Sequence, residues 1–172
     1  MAFLGRSNVG KSSLLNALAG SRGLARVSAT PGRTRLVNFF RVGNELYLAD
    51  LPGYGYAKVP ESMRREWEAL AVSYLVGRKS LALCVFLVDL RHEPMEGDLT
   101  LRAFLEHNGL PYVVAATKAD KLGRGEVARR QRSLEAGLGK NAKAVFVVSA
   151  ETKAGVGELW KTLRAAALAH GA

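Results

Sequence analysis

The stretch that decides the fold is FLGRSNVGKSSLLNALAG, residues 3–20, in which a glycine-rich turn stands directly before an apolar run of helical spacing. Residues Gly5 to Ser12 fit G-x-x-x-x-G-K-[ST], a loop whose backbone amides surround phosphates while its lysine reaches the β- and γ-phosphates. Only glycine lets a backbone approach a phosphate that closely. We therefore expect a strand before the loop, a helix after it and a phosphate between them.

The helix that begins at Lys11 would direct its N-terminal amides, and the positive end of its dipole, at this anion. The Ser12 hydroxyl then stands where it can ligate Mg²⁺ beside the phosphates. The residues that this signature assigns to the nucleotide are Gly5, Arg6, Ser7, Asn8, Val9, Gly10, Lys11 and Ser12.

The composition is that of one ordinary globular domain. The chain has 172 residues, 48% of them apolar and 23% charged, so we predict a single domain over residues 1–172. No apolar run is long enough to cross a bilayer and no signal-peptide pattern is present, which favours a cytoplasmic protein without membrane attachment. The single cysteine, Cys84, lies in an apolar run and favours a buried thiol over a disulfide.

The chain is strongly basic, with 25 Lys and Arg against 15 Asp and Glu and a formal charge of +10. Such an excess favours a polyanionic partner such as RNA, because each phosphate that a cation neutralises releases counterions. A basic surface that is merely solvated is the alternative that charge alone leaves open.

Short β-branched or apolar runs alternate with helical patterns along the chain. Strands are predicted at residues 2–4, 36–42, 45–50, 81–89, 112–117 and 144–149, and helices at 11–19, 61–75, 97–108, 125–138 and 156–170. This order predicts an α/β fold with a mostly parallel six-stranded sheet and helices on both faces, because parallel neighbours need crossover connections. The connection at Gly43-Asn44 is too short for a crossover and predicts an antiparallel hairpin at one edge.

A second signature, Asp50-Leu51-Pro52-Gly53, ends the third predicted strand. Its carboxylate can hold Mg²⁺ through water, and the Gly53 amide can meet a γ-phosphate. Alone the tetrapeptide also fits a simple turn, but its pairing with the phosphate loop favours the functional interpretation.

A third signature, Thr117-Lys118-Ala119-Asp120, ends the fifth predicted strand, at the sheet edge where ligands of α/β folds collect. An ionised Asp120 accepts hydrogen bonds, so it can bind guanine N1–H and the exocyclic amine, a donor pair that adenine lacks. Lys118 can lay its aliphatic stem across the base, and the backbone amides of Ser149-Ala150 can reach the guanine O6. The pattern therefore predicts GTP and GDP as ligands rather than ATP.

Taken in order, these signatures resemble those of the EngB-type GTP-binding proteins, ribosome-assembly GTPases of the TrmE and Era group. The resemblance covers nearly the whole chain and is carried by GRSNVGKSSLLNAL (5–18), SATPGRTRLVNFF (28–40), DLPGYGYAKVP (50–60), TKADK (117–121) and VSAETKAGVGEL (148–159). It implies a three-layer P-loop GTPase fold with one antiparallel edge strand, and hydrolysis of GTP to GDP and phosphate.

Carried over to these positions, the resemblance makes Gly5 to Ser12 the phosphate loop and names Ser12 and Thr34 as the Mg²⁺ ligands. The first switch would be Gly32, Arg33, Thr34, Arg35 and Leu36, and the second would open with Asp50, Leu51, Pro52 and Gly53. Guanine would be read by Thr117, Lys118, Ala119 and Asp120 and covered by Val148, Ser149 and Ala150. Thr117 stands where many GTPases have Asn. Judged by the resemblance, we also expect the domain to lack the segment that the family usually carries ahead of the first strand.

Tyr54 stands where many GTPases carry the glutamine that orients the attacking water, so we expect slow intrinsic hydrolysis. The residues assigned to catalysis are Lys11, Thr34 and Asn8. By resemblance, Asn8 helps to hold a K⁺ ion whose charge would stabilise the transition state, unless it only caps the loop; equal rates in potassium and sodium would contradict the cation role. Tyr54 and Tyr56 stay open between a contact with RNA or a partner and a packing role.

The resemblance implies a monomeric switch that contacts the large ribosomal subunit and its rRNA during assembly, with a link to cell division and septation. Arg33 and Arg35 flank Thr34, so GTP would order the first switch and present these charges to RNA. A GTP-dependent rRNA- or ribosome-binding module with incidental hydrolysis is the alternative, favoured by the missing glutamine. A P-loop kinase is disfavoured, because the sequence has no Arg-rich lid insertion and Asp120 argues against ATP.

Overall fold

Six strands and five helices alternate in the computed structural model, which describes residues 1–20, 37–43, 46–54 and 61–171, with only the backbone of residues 61–64. The strands are β1 Ala2–Gly5, β2 Asn38–Val42, β3 Leu46–Asp50, β4 Cys84–Asp89, β5 Tyr112–Thr117 and β6 Val145–Val147. The helices are α1 Lys11–Leu18, α2 Glu61–Leu75, α3 Glu96–His107, α4 Arg124–Ala136 and α5 Val156–Gly171, and a 3₁₀ turn lies at Ala119–Lys121. All of the predicted elements are present, with boundaries that differ by a few residues.

The sheet has the order β2-β3-β1-β4-β5-β6, and every neighbouring pair is parallel except β2 with β3. The predicted α/β class and the antiparallel pair at one edge are confirmed. The hairpin pairing extends from Asn38 opposite Asp50 to Val42 opposite Leu46. Because the other five strands are parallel, the loops that follow them meet at one edge of the sheet, where α/β folds bind ligands.

The boundary of β4 differs most from the prediction, since the strand begins at Cys84 and not at Leu81. The Leu81 amide donates a hydrogen bond of 3.0 Å to the Arg78 carbonyl, so this residue closes a turn before the strand. Cys84 is the first residue of β4 with a partner on each side, Ala2 in β1 and Tyr112 in β5. The apolar run is longer than the strand because the approach to the sheet is itself partly buried.

Two apolar layers hold the sheet between its helices. One face packs against α1 and α5, through residues that include Leu14 and Leu163, and the other packs against α2, α3 and α4. The central strand β4 is buried from Cys84 through Val88, as expected for a parallel strand covered on both faces. Burial raises the pKa of the Cys84 thiol to about 12, which fits the structural role expected of this cysteine.

The longest of the described helices is α5, with 16 residues. It contributes Val156, Leu159 and Leu163 to the core, whereas Leu168 is 63% exposed. Within the described ranges, no helix combines the length and the apolar character that a membrane span requires.

Two leucines of α5 allow a matched test of this packing. Leu163→Ala removes a fully buried side chain, so we expect the free energy of unfolding to fall by about 2–5 kcal/mol. Leu168→Ala makes the same chemical change on the exposed side of the same helix and should stay within about 0.5 kcal/mol of the original protein. Urea unfolding followed by circular dichroism measures both; equal losses in the two variants would contradict the placement of α5.

Candidate functional site

The phosphate-loop sequence forms a tight connection between β1 and α1. Gly10 has a φ of 99°, in the left-handed region that glycine adopts without strain, and α1 begins at the next residue. Gly5 has no room for a side chain, because a Cβ there would lie 2.9 Å from the Val9 side chain and 3.0 Å from Leu87. Both glycines of the sequence signature are therefore required by the local backbone.

A buried ion pair joins the first two signatures. Lys11 has 8% of its surface exposed, and its ammonium pairs with the carboxylate of Asp50, which is 3% exposed. The register places Asp50 at the end of β3 beside Phe3 of β1, so the two strands bring these charges to one point. Burial raises the pKa of Asp50, and the adjacent Lys11 ammonium opposes this shift. Because either charge would be costly to bury alone, the pair fixes the start of α1 against the end of β3.

The residues after Asp50 continue along the phosphate loop. The Ser7 amide donates to the Tyr54 carbonyl at 3.1 Å, and the Tyr54 amide donates to the Gly5 carbonyl at 3.3 Å. Gly53, directly before Tyr54, lies so close to the phosphate loop that a Cβ on it would be 2.9 Å from the Ser7 backbone. The predicted second switch therefore begins as a short strand-like pairing with the phosphate loop, and glycine is needed for it.

The side chain of Tyr54 is fixed from two sides. Its hydroxyl donates to Asp98 of α3 at 2.9 Å, and its ring packs 5.4 Å from the ring of Trp67. The other carboxylate oxygen of Asp98 accepts from the Met95 amide at the start of α3, and the Trp67 indole donates to the Pro52 carbonyl at 2.6 Å. Burial, together with Asp98, raises the pKa of Tyr54. Of the two interpretations left open by the sequence, these contacts fit the packing role.

The third signature is bonded directly to the phosphate loop. The Thr117 hydroxyl lies 2.5 Å from the Val9 carbonyl and 3.1 Å from the Val88 carbonyl, and its single proton serves one of them at a time. The Lys118 ammonium donates to the Asn8 carbonyl at 2.7 Å. Threonine at the position where many GTPases have asparagine therefore still ties the two loops together.

Asp89, the last residue of β4, belongs to this cluster and was not found from the sequence. Its carboxylate accepts from the Lys118 ammonium at 2.9 Å and from the Arg91 guanidinium at 2.8 Å and 3.0 Å. Burial opposes ionisation of Asp89, but the hydrogen bonds from Arg91 and Lys118 prevail and lower its pKa. The only signal in the sequence was that Asp89 ends a predicted strand. In the sheet that strand, β4, lies between β1, which leads into the phosphate loop, and β5, which leads into the third signature.

Asp120 is held as an ionised acceptor. Its Oδ1 accepts a hydrogen bond of 2.7 Å from the Ser149 hydroxyl, and its Oδ2 lies 3.0 Å from the Lys121 ammonium. The hydrogen bond from Ser149 is the main reason that the pKa of Asp120 is lowered, and the bond from Lys121 adds to it. The geometry thus presents a carboxylate that can accept hydrogen bonds at the end of β5.

The loop after β6 differs in detail from the sequence-based assignment. The Ser149 amide donates to the Ala154 carbonyl at 3.0 Å, and the Val148 amide donates to the Ala116 carbonyl at 2.8 Å. Ser149 therefore acts through its hydroxyl on Asp120, and its amide is not available to a base in this arrangement. The amide of Ala150 is the one left for such a contact in the assigned stretch 148–150.

The remaining predicted residues divide into two groups. Leu51 and Pro52, the middle residues of the second signature, are buried, and Ala119 opens the 3₁₀ turn that carries Asp120. Residues 32–36, which include the predicted Mg²⁺ ligand Thr34, lie outside the described residues, as does Tyr56. The structure thus brings the phosphate loop, the second signature and the two base-directed stretches to one edge of the sheet.

A family model described as "50S ribosome-binding GTPase" matches residues 1–118. A probable GTP-binding protein EngB from Syntrophus aciditrophicus is 46% identical over 166 residues, covering 96% of this chain and 84% of the relative. Another from Solibacter usitatus is 46% identical over 163 residues, covering 95% and 83%.

Solved structures with the same architecture extend this comparison. The crystal structure of a probable GTP-binding protein EngB has a TM-score of 0.74 at 24% identity and covers 96% of this chain and 97% of its own. A variant of Era from Aquifex aeolicus, bound to GDP·AlF₄⁻, has a TM-score of 0.76 at 25% identity and covers 94% of this chain and 54% of its own.

Together with the fold and the buried lysine at the start of α1, the family match defines the class as P-loop GTPases, enzymes that bind GTP and GDP and hydrolyse GTP. At 46% identity over nearly its whole length, the chain belongs to the EngB family of GTP-binding proteins.

The hydroxyl of Thr117 can be tested by an isosteric change. Thr117→Val leaves the Val9 carbonyl without its donor, so we expect the free energy of unfolding to fall by about 1–3 kcal/mol and GTP to bind more weakly. Thr100→Val is the matched control, because the Thr100 hydroxyl bonds its own helix on the surface of α3. Chemical unfolding and titration with a fluorescent GTP analogue give the two quantities. If both variants behave like the original protein, the bond does not support the phosphate loop.

Proposed function

We propose that this protein is a GTP-controlled switch in the assembly of the large ribosomal subunit, that residues 1–172 act as one domain, and that its slow hydrolysis of GTP ends each binding event. A requirement in cell division and septation would follow through the supply of ribosomes. The description of the matching family, which names the 50S ribosome, and the formal charge of +10 support an RNA-rich partner.

The observation that carries the switch is the pairing of the second signature with the phosphate loop. Tyr54 bonds this loop through its backbone and α3 through its hydroxyl, and Trp67 of α2 packs on its ring. A phosphate that engages Lys11 must compete with Asp50, the residue from which this segment departs. A change in the bound nucleotide could therefore be transmitted to α2 through the contacts of Tyr54 with the phosphate loop and with Trp67.

The same geometry supports an assignment of the nucleotide-binding residues. We infer that residues 5–12 hold the phosphates, that Asp120 reads guanine, and that the Ala150 amide meets its O6. Lys118 is already held beside the phosphate loop by Asn8 and Asp89, which leaves its stem as the part that faces a base. Residues 32–36, with Thr34 at their centre, are proposed as the first switch.

The residues present fit Mg²⁺. In the described part of the chain, no group of three or more His, Cys, Asp or Glu could hold a metal by itself. The oxygen donors offered by the first two signatures are the Ser12 hydroxyl and the Asp50 carboxylate. Mg²⁺ prefers such a sparse set of oxygen ligands, completed by water and substrate phosphates. Ser12 and, by resemblance, Thr34 would hold the ion, whose charge offsets that of the phosphates.

Slow turnover is supported by Tyr54. A hydroxyl bonded to Asp98 and a ring packed on Trp67 are not placed to orient a water as a glutamine would. Lys11 and Asn8, with Thr34, are the residues we assign to the reaction, and the potassium role of Asn8 stays a prediction. The same observation favours the second candidate, a GTP-dependent rRNA-binding module in which hydrolysis is incidental.

The base assignment has a direct test. Asp120→Asn replaces an acceptor with a donor, so GTP should bind at least about 100-fold more weakly while xanthosine triphosphate gains affinity. An asparagine oxygen can still accept from Ser149, which keeps the loop in place. Lys121→Gln is the control, because it removes the ion pair with Asp120 and keeps the acceptor. Unchanged selectivity for GTP in the asparagine variant would overturn the assignment.

The proposed function is tested by co-sedimentation with bacterial ribosomal subunits in GTP, GDP or no nucleotide over a range of salt. We expect GTP-selective binding to the large subunit that resists salt, because nonspecific attraction to RNA weakens steeply as salt rises. The Asp120→Asn protein should sediment in response to xanthosine triphosphate and not to GTP, which separates the nucleotide effect from surface charge. Binding that ignores the nucleotide and disappears at modest salt would contradict the switch.

A further inference from the structure

Two aromatic side chains of the edge hairpin stand in solvent on the face of the sheet that α2 covers only in part. Phe39 of β2 is 55% exposed and Tyr47 of β3 is 54% exposed. The register places Phe39 opposite Ala49 and Arg41 opposite Tyr47, so all four side chains point to the same face. Phe39 and Tyr47 are diagonal neighbours, about 7–8 Å apart, within reach of a common ligand.

The helix α2 adds a third ring, and the turn that follows it adds a cation. The ring of Tyr74 lies 5.8 Å from that of Phe39, and the Arg78 guanidinium carbon lies 4.0 Å above the Tyr74 ring. The Arg78 Nε also donates to the Tyr74 carbonyl at 2.7 Å, which fixes the guanidinium over the ring. We call Phe39, Arg41, Tyr47, Tyr74 and Arg78 the ring–arginine surface.

Stability alone does not account for this surface. Large aromatic side chains stabilise a fold when they are covered, and here more than half of the surface of Phe39 and of Tyr47 is exposed. The two arginines beside them are exposed and anchored, since the Arg41 Nε donates to the Gly43 carbonyl at 3.1 Å and Arg78 is bonded to Tyr74. Flat rings with fixed guanidinium groups beside them are suited to a ligand that has both flat groups and negative charges.

We propose that the ring–arginine surface binds unpaired RNA, with bases stacked on Phe39 and Tyr47 and with Arg41 and Arg78 at the neighbouring phosphates. Exposed aromatic platforms beside cations are the usual means of binding single strands, because every base offers a face for stacking. The faces of bases in an RNA duplex are hidden, so the surface should prefer single strands, loops and bulges. The charge of +10 favours this polyanion over a protein partner.

The position of the surface connects it with the nucleotide. Strand β2 follows the predicted first switch. Helix α2 follows the second signature, and Tyr54, the residue directly after that signature, packs on Trp67 of α2. Strand β2 and helix α2, which carry Phe39, Arg41 and Tyr74, are thus elements that the proposed switch would move. The inference rests on the proposed function for its RNA partner and this control, but stacking on the surface can be tested without a ribosome.

The test measures fluorescence anisotropy of a short single-stranded RNA of mixed sequence and of a blunt-ended duplex of the same composition. The double variant Phe39→Leu, Tyr47→Leu keeps apolar side chains but loses both rings, so single-stranded RNA should bind at least about tenfold more weakly while binding of the duplex changes little. The control is Leu99→Ala, Leu168→Ala, which removes two exposed apolar side chains from α3 and α5. Affinity for GTP should be unchanged in all of these proteins.

The role of the arginines is tested by comparing two double variants that lose the same number of positive charges. Arg41→Gln, Arg78→Gln should weaken RNA binding more than Arg132→Gln, Arg164→Gln, which removes the same charge from exposed positions on α4 and α5. Equal losses in the two variants would overturn the placement of RNA at this surface. Ultraviolet cross-linking of the unmodified protein to oligouridine gives a reading without variants, and we expect cross-linked peptides that contain Phe39 or Tyr47.

Two further results would overturn the inference. The first is that the Phe39→Leu, Tyr47→Leu protein binds single-stranded RNA with an affinity within about twofold of that of the original protein. The second is a ring variant that keeps its RNA affinity but no longer sediments with the large subunit, which would make the surface a contact for protein. GTP-selective sedimentation can fail while stacking persists, so failure of the proposed function is distinguishable from failure of this proposal.

Discussion

A lysine ammonium enclosed at the edge of a sheet must have an anion beside it, and much of the site follows from this need. In the described arrangement Asp50 supplies that anion to Lys11. The pair requires β3 beside β1, α1 starting at once after the loop, and glycine where the backbone turns into the helix. On the proposed function, a phosphate would offer the same lysine a stronger anion, which would make the residues that follow Asp50 sensitive to what occupies the loop.

Local sequence was sufficient for those parts of the structure that depend on local chemistry. The phosphate loop was predictable because its G-x-x-x-x-G-K-[ST] spacing stands directly before a helical pattern, and the structure places Gly10 at a φ of 99° there. The sheet class was predictable because apolar runs alternate with helical patterns, and the hairpin because Gly43-Asn44 is too short for a crossover. The start of β4 was not, since the approach from Leu81 to Leu83 is as apolar as the strand but precedes its first paired residue, Cys84.

The contacts that sequence reasoning missed join residues far apart in the chain. Nothing near Thr117 indicates that its hydroxyl meets Val9, and nothing near Tyr54 indicates that its hydroxyl meets Asp98. Asp89 looked like the polar end of a buried strand, yet it positions Lys118. Such contacts depend on the directions in which side chains leave neighbouring elements, and spacing along one segment does not contain that information. The residues of the predicted first switch lie outside the described structure, so their roles stay predictions.

The bonds from Thr117 and Lys118 to the carbonyls of Val9 and Asn8 have a thermodynamic meaning beyond their part in holding two loops. They set the separation between the base-directed end and the phosphate-directed end of the site before any ligand arrives. A ligand that fits this separation loses its own freedom on binding, but it need not also order the protein between its two ends. On the proposed assignment of the two ends, the cleft is therefore preorganised for one nucleotide length, and a molecule with the right base but a different span would lose the contacts at one end.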